Sequence, residues 1–462
     1  MLITGILLAS VFSFDSVWVL PSFAILVILS FLSARWLRLQ YACILLSFIL
    51  LGVWLATYQQ ESILSDEDYH PRKMEMVVVS ELSEKPKTFA MDVLDVNTGR
   101  KWKCYIHRDE RSRRLSPGVT LVGHVVFFDQ HDRFYLPAGL WHIESVSLQH
   151  LSHLERSRIT FLRWRHRLLE RFQLLGAGDD VYAVLSAMTL GDKSALTRDL
   201  RDVYSVTGAS HVLALSGLHL GILYFFFVCL IPTRWRRAVL PQVFIILSIW
   251  AFTFLAGLPV SMIRASLMFS MFAVFSVGER EGASVNTLCL AALIMLMVNP
   301  ASLYDVGFQL SFMAVISILI VMPFFDGLVS WEWRQHHWLL SRLWDCLAVS
   351  TAAQLGVAPL IAFYFGRFST YFLLTNVVVL PCAYLILVGA LIMLLIPWPL
   401  LAAGVLWIVG TLNRLLELMA RLPFASVEGL HPTVLQVVLC YVALAAFYGA
   451  LLRLCNVRMR MD

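Results

Sequence analysis

Charge is scarce in this sequence. Asp, Glu, Lys and Arg make up 15% of its 462 residues, against about 25% in an average soluble chain. A composition so poor in charge excludes a highly charged disordered protein. Cysteine chemistry is missing as well. Eight cysteines are present but no CxxC pair, so a zinc site has no ligand pattern to rest on. Cys104 is the only cysteine between residues 59 and 208, which excludes a disulfide within that segment. No GxSxG elbow and no HExxH helix occurs. The stretch Leu190-Gly-Asp-Lys-Ser194 lacks the Gly-Lys-Ser/Thr order and the earlier glycine of a phosphate loop. With no nuclease, ATPase or hydrolase motif, the expectation is a protein that is not an enzyme and needs no cofactor or metal.

What is abundant is apolar surface. Hydrophobic residues reach 59%, where soluble chains hold about 45–50%, and mean hydropathy is +0.74. A membrane span needs about 20 apolar residues. Twelve stretches qualify as candidates: 1–14 and 285–298, both short, then 17–34, 40–58, 209–231, 239–256, 259–277, 305–325, 346–365, 371–396, 399–418 and 434–453. The first has no basic flank and is followed by Asp15, so it reads as a membrane helix rather than a cleaved signal peptide. With a cytoplasmic N-terminus and twelve spans, eleven arginines fall in cytoplasmic connections and the tail. These are Arg35, Arg38, Arg234, Arg236, Arg237, Arg280, Arg334, Arg342, Arg453, Arg458 and Arg460. Only Arg367 and Arg421 fall in short outer loops. That bias places both termini in the cytoplasm and residues 59–208 outside.

The outer segment divides in two. Residues 74–82, 88–96, 101–108, 119–129 and 140–148 alternate like strands, with turn signals at Asn97-Thr98-Gly99 and Ser116-Pro117-Gly118. Five short strands in this length suit a small OB-type barrel. The barrel carries a local basic run of Arg100, Lys101, Lys103, Arg108, Arg111, Arg113 and Arg114, opposed only by Asp109 and Glu110. Trp102, Tyr105 and His107 are interleaved, and rings beside cations suit stacking of a single strand. The bland reading is a solvated strand and loop face. Over 59–150 as a whole, acids outnumber bases 14 to 12. Residues 152–175 then alternate arginines with apolar residues at helical spacing, which fits an amphipathic helix lying on a membrane surface. Two further amphipathic helices are expected over 179–190 and 196–205.

Polar residues inside the apolar stretches are the candidate site. Residues 207–223 place His211, Ser216 and His219 in an apolar helix start, with Gly217 and Gly221 beside them. Buried polar groups in a bilayer usually face the bundle interior or an aqueous path, although close helix packing around satisfied histidines needs the same residues. In 256–266, Gly257 and Pro259 break a helix, and Arg264 sits inside the next, as a cavity lining or in an ion pair with Asp305. In 299–312, Asp305 and Gln309 are four apart and share a helix face. Interhelical hydrogen bonding would equally explain them. Gln354 with Pro359, and Asn376 with Pro381, point to broken helices lining a cavity.

Taken in this order, ALSGLHLGIL, GLPVSMIRAS and NP…VGFQLSFMAV resemble the competence domain of the ComEC family, membrane proteins of DNA uptake. The resemblance covers residues 180–450, and the N-terminal spans with an outer β-barrel match the family's layout more loosely. With the spans and strands read above, the expected fold is a membrane α-helical bundle of about twelve transmembrane or membrane-embedded helices, with an inserted extracytoplasmic OB-like barrel and an amphipathic interfacial helix. The divisions expected are N-terminal spans 1–58, barrel 59–150, amphipathic surface helices 151–208, channel 209–455 and cytoplasmic tail 456–462. The resemblance further implies an inner-membrane channel for single-stranded transforming DNA. Ser216, Gly217, His219, Arg264, Asp305, Gln309, Gln354 and Asn376 are its pore candidates. It also implies an outer DNA receptor and a cytoplasmic helicase-like ATPase as partners. Many members carry a metallo-β-lactamase-like domain. No HxHxDH cluster is present here, so the expectation is a short form served, where needed, by a nuclease in trans. The barrel also lacks the family's Asn-Pro-Gly run before its last strand.

Two other readings use the same residues: a transporter or exporter of another anionic solute, and an enzyme acting on a lipid through Ser216 and His219. An anion transporter needs Arg264 but not the outer basic patch. The lipid enzyme needs a carboxylate near His219, and none is close in sequence.

Overall fold

In a computed structural model the described residues are all but 13–15, 34, 62–70, 86, 128–132, 176, 237, 278–284, 397 and 456–462. The expected tail 456–462, the end of the strand at 129, Asp15, Arg237, Arg280, Arg458 and Arg460 therefore lie outside them. The chain forms two compact units, one of residues 1–69 with 283–309 and one of 70–282 with 310–462.

The first unit holds α1 (Leu2–Val11), α2 (Ser16–Leu32) and α3 (Leu37–Glu61). A Cβ on Gly5 would lie 2.0 Å from the Ile49 carbonyl oxygen, and one on Gly52 would lie 2.3 Å from that of Leu2. Bare glycines thus let α1 and α3 touch backbone to backbone, the close approach that small residues permit in membrane bundles.

The second unit begins with the barrel: β1 (Arg72–Val78), β2 (Ser83–Glu84), β3 (Thr88–Asp95), β4 (Lys101–His107), β5 (Thr120–Phe127), β6 (Arg133–Leu136) and β7 (Trp141–Ile143). The order β1-β3-β4-β6-β5 closes through a β1–β5 pairing. The pairs are antiparallel except β4–β6, which is parallel. A five-stranded Greek-key barrel of this kind has the OB architecture. Its fifth strand is β6, not the expected 140–148, of which only β7 pairs, as a flap on β5. The four residues of β6 are too short to show alternation beside Pro137, yet Phe134 and Leu136 point into the core. Met76, Val93, Trp102, Cys104, Ile106 and Leu121 complete it.

Helices α4 (His153–Gln173), α5 (Asp179–Leu190), α6 (Arg198–Val206) and α7 (Ser210–Leu213) follow. Ser152 and Glu155 form a capping box at the start of α4. Protein covers the apolar faces of these helices. In α4, Ile159 and Leu162 pack on Val77, Val79 and Leu94 of the barrel, while Leu169 and Phe172 pack among other helices. In α5 every residue from Ala183 to Leu190 is buried. An amphipathic stripe reports one apolar face but not what covers the other.

The remaining elements are α8 (Gly217–Leu230), α9 (Val239–Leu255), α10 (Val260–Val277), α11 (Val285–Val298, in the first unit), α12 (Val306–Gly327), α13 (Trp331–His336), α14 (Trp338–Phe365), β8 (Arg367–Ser369), α15 (Phe372–Leu395), α16 (Pro399–Ala420), β9 (Ser426–Glu428) and α17 (Val434–Cys455). Within the second unit α15 is central. Val379, Ala383 and Ile386 pack with α5, α7 and α16, and Leu387 with α8, α9 and α10. Among the described residues, six helices are long and apolar enough to cross a membrane, and six apolar helices are shorter, at 10–17 residues.

The helix breaks expected at Pro359 and Pro381 are corrected too, because α14 and α15 run through both prolines. A proline removes one backbone hydrogen bond, the one its missing N–H would make to the carbonyl four residues earlier, here Leu355 and Val377, and neither loss ends its helix. The Tyr441 hydroxyl donates to the Gly356 carbonyl at 2.7 Å, and Ser317 donates to that of Ala352 at 2.6 Å. The actual discontinuity lies between α7 and α8, where residues 214–216 leave helical geometry.

Candidate nucleic-acid interface

Strand alternation sorts the basic run on β4. Trp102, Cys104 and Ile106 point into the barrel, while Lys101 and Lys103 point out and are exposed. Trp102 is 1% exposed, so it is a core residue and not a stacking platform. Arg100 lies over its ring, 5.0 Å from the centroid. Arg108 pairs with Glu84 at 2.8 Å and covers Phe89. Arg111, Arg113 and Arg114 sit at the short turn around Ser112–Arg114.

Lys101 and Lys103 instead border a cleft of about 480 Å³ in the second unit. Its walls come from four places. The barrel contributes Lys85, Lys101 and Lys103, and α4 contributes Arg158 and Arg165. Lys193 and Arg201 come from the α5–α6 connection and α6, and the fourth wall is the backbone at residues 214–215 and 256–261. Seven cations meet three carboxylates, Glu81, Asp92 and Asp192. Two of the three meet a basic side chain directly. Asp92 pairs with Lys101 at 2.8 Å, and Glu81 accepts from His166 at 3.1 Å. That hydrogen bond, against the opposing effect of burial, holds the His166 pKa above its ordinary value.

Local folding rules explain how the cleft is assembled. Gly191 ends α5 in the left-handed conformation, φ +74°, with its N–H and that of Asp192 returning to Ala187 and Ser186. A Cβ there would meet Leu215 at 2.8 Å, so glycine lets this turn rest on the broken segment. Asp192 then accepts from the Ser194 N–H at 3.2 Å and hydroxyl at 2.7 Å. The tight turn presents Lys193, whose carbonyl accepts from Arg201 at 2.9 Å. The segment that failed as a phosphate loop is thus a helix stop that delivers a lysine.

Also lining the cleft, α9 ends in a turn with Gly257 at φ +87° and Leu258 at φ +60°. Its last carbonyls face α4. Arg165 donates to Ala256 at 3.3 Å and Arg158 to Gly257 at 3.5 Å, as cations do at a helix C-terminus. Ser261 donates to the Leu215 carbonyl at 2.7 Å. That bond ties the α9–α10 turn to the break between α7 and α8.

The cleft therefore meets the polar helix start singled out in the sequence. Ser216 caps α8, and its N–H donates to His219 Nδ1 at 3.3 Å. His219 is fully buried, and its Nε2 has no hydrogen-bond partner among the described residues. Gly217 is exposed and Gly221 packs on Phe269 of α10. Arg264 is 2% exposed and lies 5.9 Å from the Phe312 ring centroid. Gln354 is half-buried on α14, and the Asn376 Oδ1 is buried with no described partner. Asp305 and Gln309 belong to the first unit and organise the start of α12. Asp305 accepts from the Phe308 N–H at 2.7 Å, and Gln309 donates to the Leu303 carbonyl at 3.0 Å. Sequence reasoning missed Lys85, Arg158, Arg165, Lys193 and Arg201 as cleft residues. Arg158, Leu162 and Arg165 do fall on one helical face, and that spacing was the available signal.

The sequence profile of the Competence protein family matches residues 188–454. The chain is 28% identical over 268 residues to ComE operon protein 3 of Bacillus subtilis, covering 57% of this chain and 32% of that protein. It is 24% identical over 347 residues to Recombination protein 2 of Haemophilus influenzae, covering 72% and 42%. An uncharacterized protein of Aquifex aeolicus is 28% identical over 232 residues, covering 50% and 49%. The chain thus spans between a third and a half of the length of these curated relatives. No solved structure matches. The profile covers more than half of the chain and the long apolar helices make the protein multi-pass, and on that match the chain belongs to the competence protein family.

Proposed function

We propose that this protein is an inner-membrane channel that admits single-stranded transforming DNA to the cytoplasm. In this reading residues 59–208 stand outside, both termini lie in the cytoplasm and the shorter apolar helices are embedded with the long ones. The observation that carries it is the cleft, whose cations from the barrel, α4 and α6 converge on the broken helix start at 214–217. A single strand cannot cross hydrocarbon with its phosphates exposed, so its entry needs an electropositive surface continuous with a polar interruption in the bundle. Ser216, Gly217, His219, Arg264, Gln354 and Asn376 are the residues assigned to the path beyond the cleft. The buried unpartnered atoms of His219 and Asn376 support that role, since such groups are costly unless water or a polar cargo reaches them. In the same reading Asp305 and Gln309 shape the outer end of α12. Work for transport comes from a cytoplasmic helicase-like ATPase, DNA comes from an outer receptor, and any degradation is done by a nuclease in trans.

The test is charge reversal at the exposed rim. Lys101→Glu with Lys103→Glu is expected to cut DNase-protected, internalised DNA by about tenfold or more, because binding to a strand scales steeply with the cations that meet it. DNA held at the cell surface is expected to stay unchanged. Internalisation at the parental level in a well-expressed double variant rejects the cleft as the entry. Intact transformation after deletion of the gene rejects the function.

A further inference from the structure

Resting on the reading above, the geometry points to a cleft that grips DNA by its phosphates alone, with Arg158 and Arg165 as the innermost phosphate subsite. Three observations carry this.

The first is that both guanidiniums are underused. Arg165 is 7% exposed and Arg158 half-buried, and in each the Nε–H is buried with no acceptor. Their described hydrogen bonds, to the Ala256 and Gly257 carbonyls, are long at 3.3 and 3.5 Å, at or beyond the usual N–H···O range. Neither is in salt-bridge contact with a carboxylate among the described residues; Arg158 interacts at longer range with Asp92 and Glu155 as well as with Arg165, and Arg165 with Asp192. A planar fork of unused donors, desolvated and beside a second cation, matches a phosphate better than a carbonyl.

The second is what the cleft lacks. None of its described lining residues is aromatic; between the cations they are small or aliphatic, such as Ser80, Ala90, Met91, Leu162 and Ala214. Base recognition on single strands rests on stacking against rings; of the rings in the basic run, Trp102 is sealed inside the barrel, and Tyr105 and His107, farther along the outward face of β4, do not line the cleft. The third is the arrangement of the other cations. Lys103 on β4 and Lys193 on the α5–α6 connection are both exposed and line the cleft from different elements, so they can meet a backbone without ordering its bases.

The consequence is a conduit that does not select by base at this point, and whose affinity is set by salt. The full chain in lipid nanodiscs is titrated with three probes of one length: oligothymidylate, an abasic phosphodiester and a neutral methylphosphonate oligothymidylate. The abasic strand is expected to bind within threefold of oligothymidylate, and the methylphosphonate not at all. Arg158→Gln with Arg165→Gln is expected to weaken both charged probes by the same factor and to lower the slope of log K against log salt by about 1.4, the value for two lost contacts on a single strand. Abasic binding weakened more than tenfold overturns the inference while leaving the channel reading intact, and so does methylphosphonate binding at the level of oligothymidylate. A folded double-arginine variant with unchanged affinity and slope removes the subsite from those residues. Failure of every probe to bind rejects the cleft as a DNA surface altogether. The comparison of the three probes on the parent chain decides the backbone question even where the arginine variant does not fold.

Discussion

Asp192 is a carboxylate in a cleft of cations, 6% exposed and held by Ser194. Burial is the leading influence on it and raises its pKa above the ordinary 3.8. A raised carboxyl pKa means that the folded state favours the neutral form, so folding loses stability as pH climbs through the raised value. Asp192→Asn keeps an acceptor for the Ser194 N–H and removes the charge. The variant is expected to be at least as stable as the parent at neutral pH in thermal unfolding. It is also expected to bind a single strand about fivefold tighter, since one like charge at close range near a protein surface is worth on the order of 1 kcal/mol or more. Weaker binding by a stable variant would mean that the carboxylate orders Lys193 rather than merely opposing the ligand.

At the scale of elements, a glycine and two hydroxyls govern how α14 sits on its neighbours. A Cβ on Gly356 would lie 2.5 Å from the Ser317 Cβ and 2.6 Å from the Met313 carbonyl oxygen. The same contact carries the Ser317 bond to Ala352 and, from α17, the Tyr441 bond to Gly356. Gly356→Ala is therefore expected to push α14 off α12 and to destabilise the bundle by about 1–3 kcal/mol, the usual cost of overpacking. A lowered midpoint in thermal aggregation of the detergent-solubilised protein is the readout, and a midpoint equal to the parent's shows that the helices yield without cost.

At the scale of the molecule, the barrel is fastened to the bundle through α4. Arg163 donates to the Gly118 carbonyl at 2.7 Å and His166 meets Glu81, while Arg158 and Arg165 reach α9. Because the Glu81 hydrogen bond raises the His166 pKa above 6.5, the charged contact contributes fully below that pH and is lost as pH rises through the raised value. Hydrogen exchange on the full chain is expected to show β1 and α4 amides losing protection as pH rises through that window, after correction for intrinsic rates. In His166→Gln that dependence disappears, and its persistence would place the switch in another group.

Much of this architecture was legible in the sequence. Long apolar runs read as apolar helices because a helix satisfies all its backbone hydrogen bonds within one continuous segment, and alternation located four of the five barrel strands because residues that face a core must repeat every second position. The short β6 escaped, since four residues beside a proline carry too little periodicity. The motif around Ser216 and His219 was visible as polar groups in an apolar run, but α14 and α15 continue through Pro359 and Pro381, because the tertiary packing that keeps a helix whole across a proline is invisible along the chain. What the sequence by itself determined is the membrane bundle, the barrel insert, the family and the basic run that contains Lys101 and Lys103. What only the tertiary structure decided is which cations act together. Lys103, Arg165, Lys193 and Arg201 come from four different elements, and electrostatic convergence depends on distance through space, which no local pattern of residues encodes.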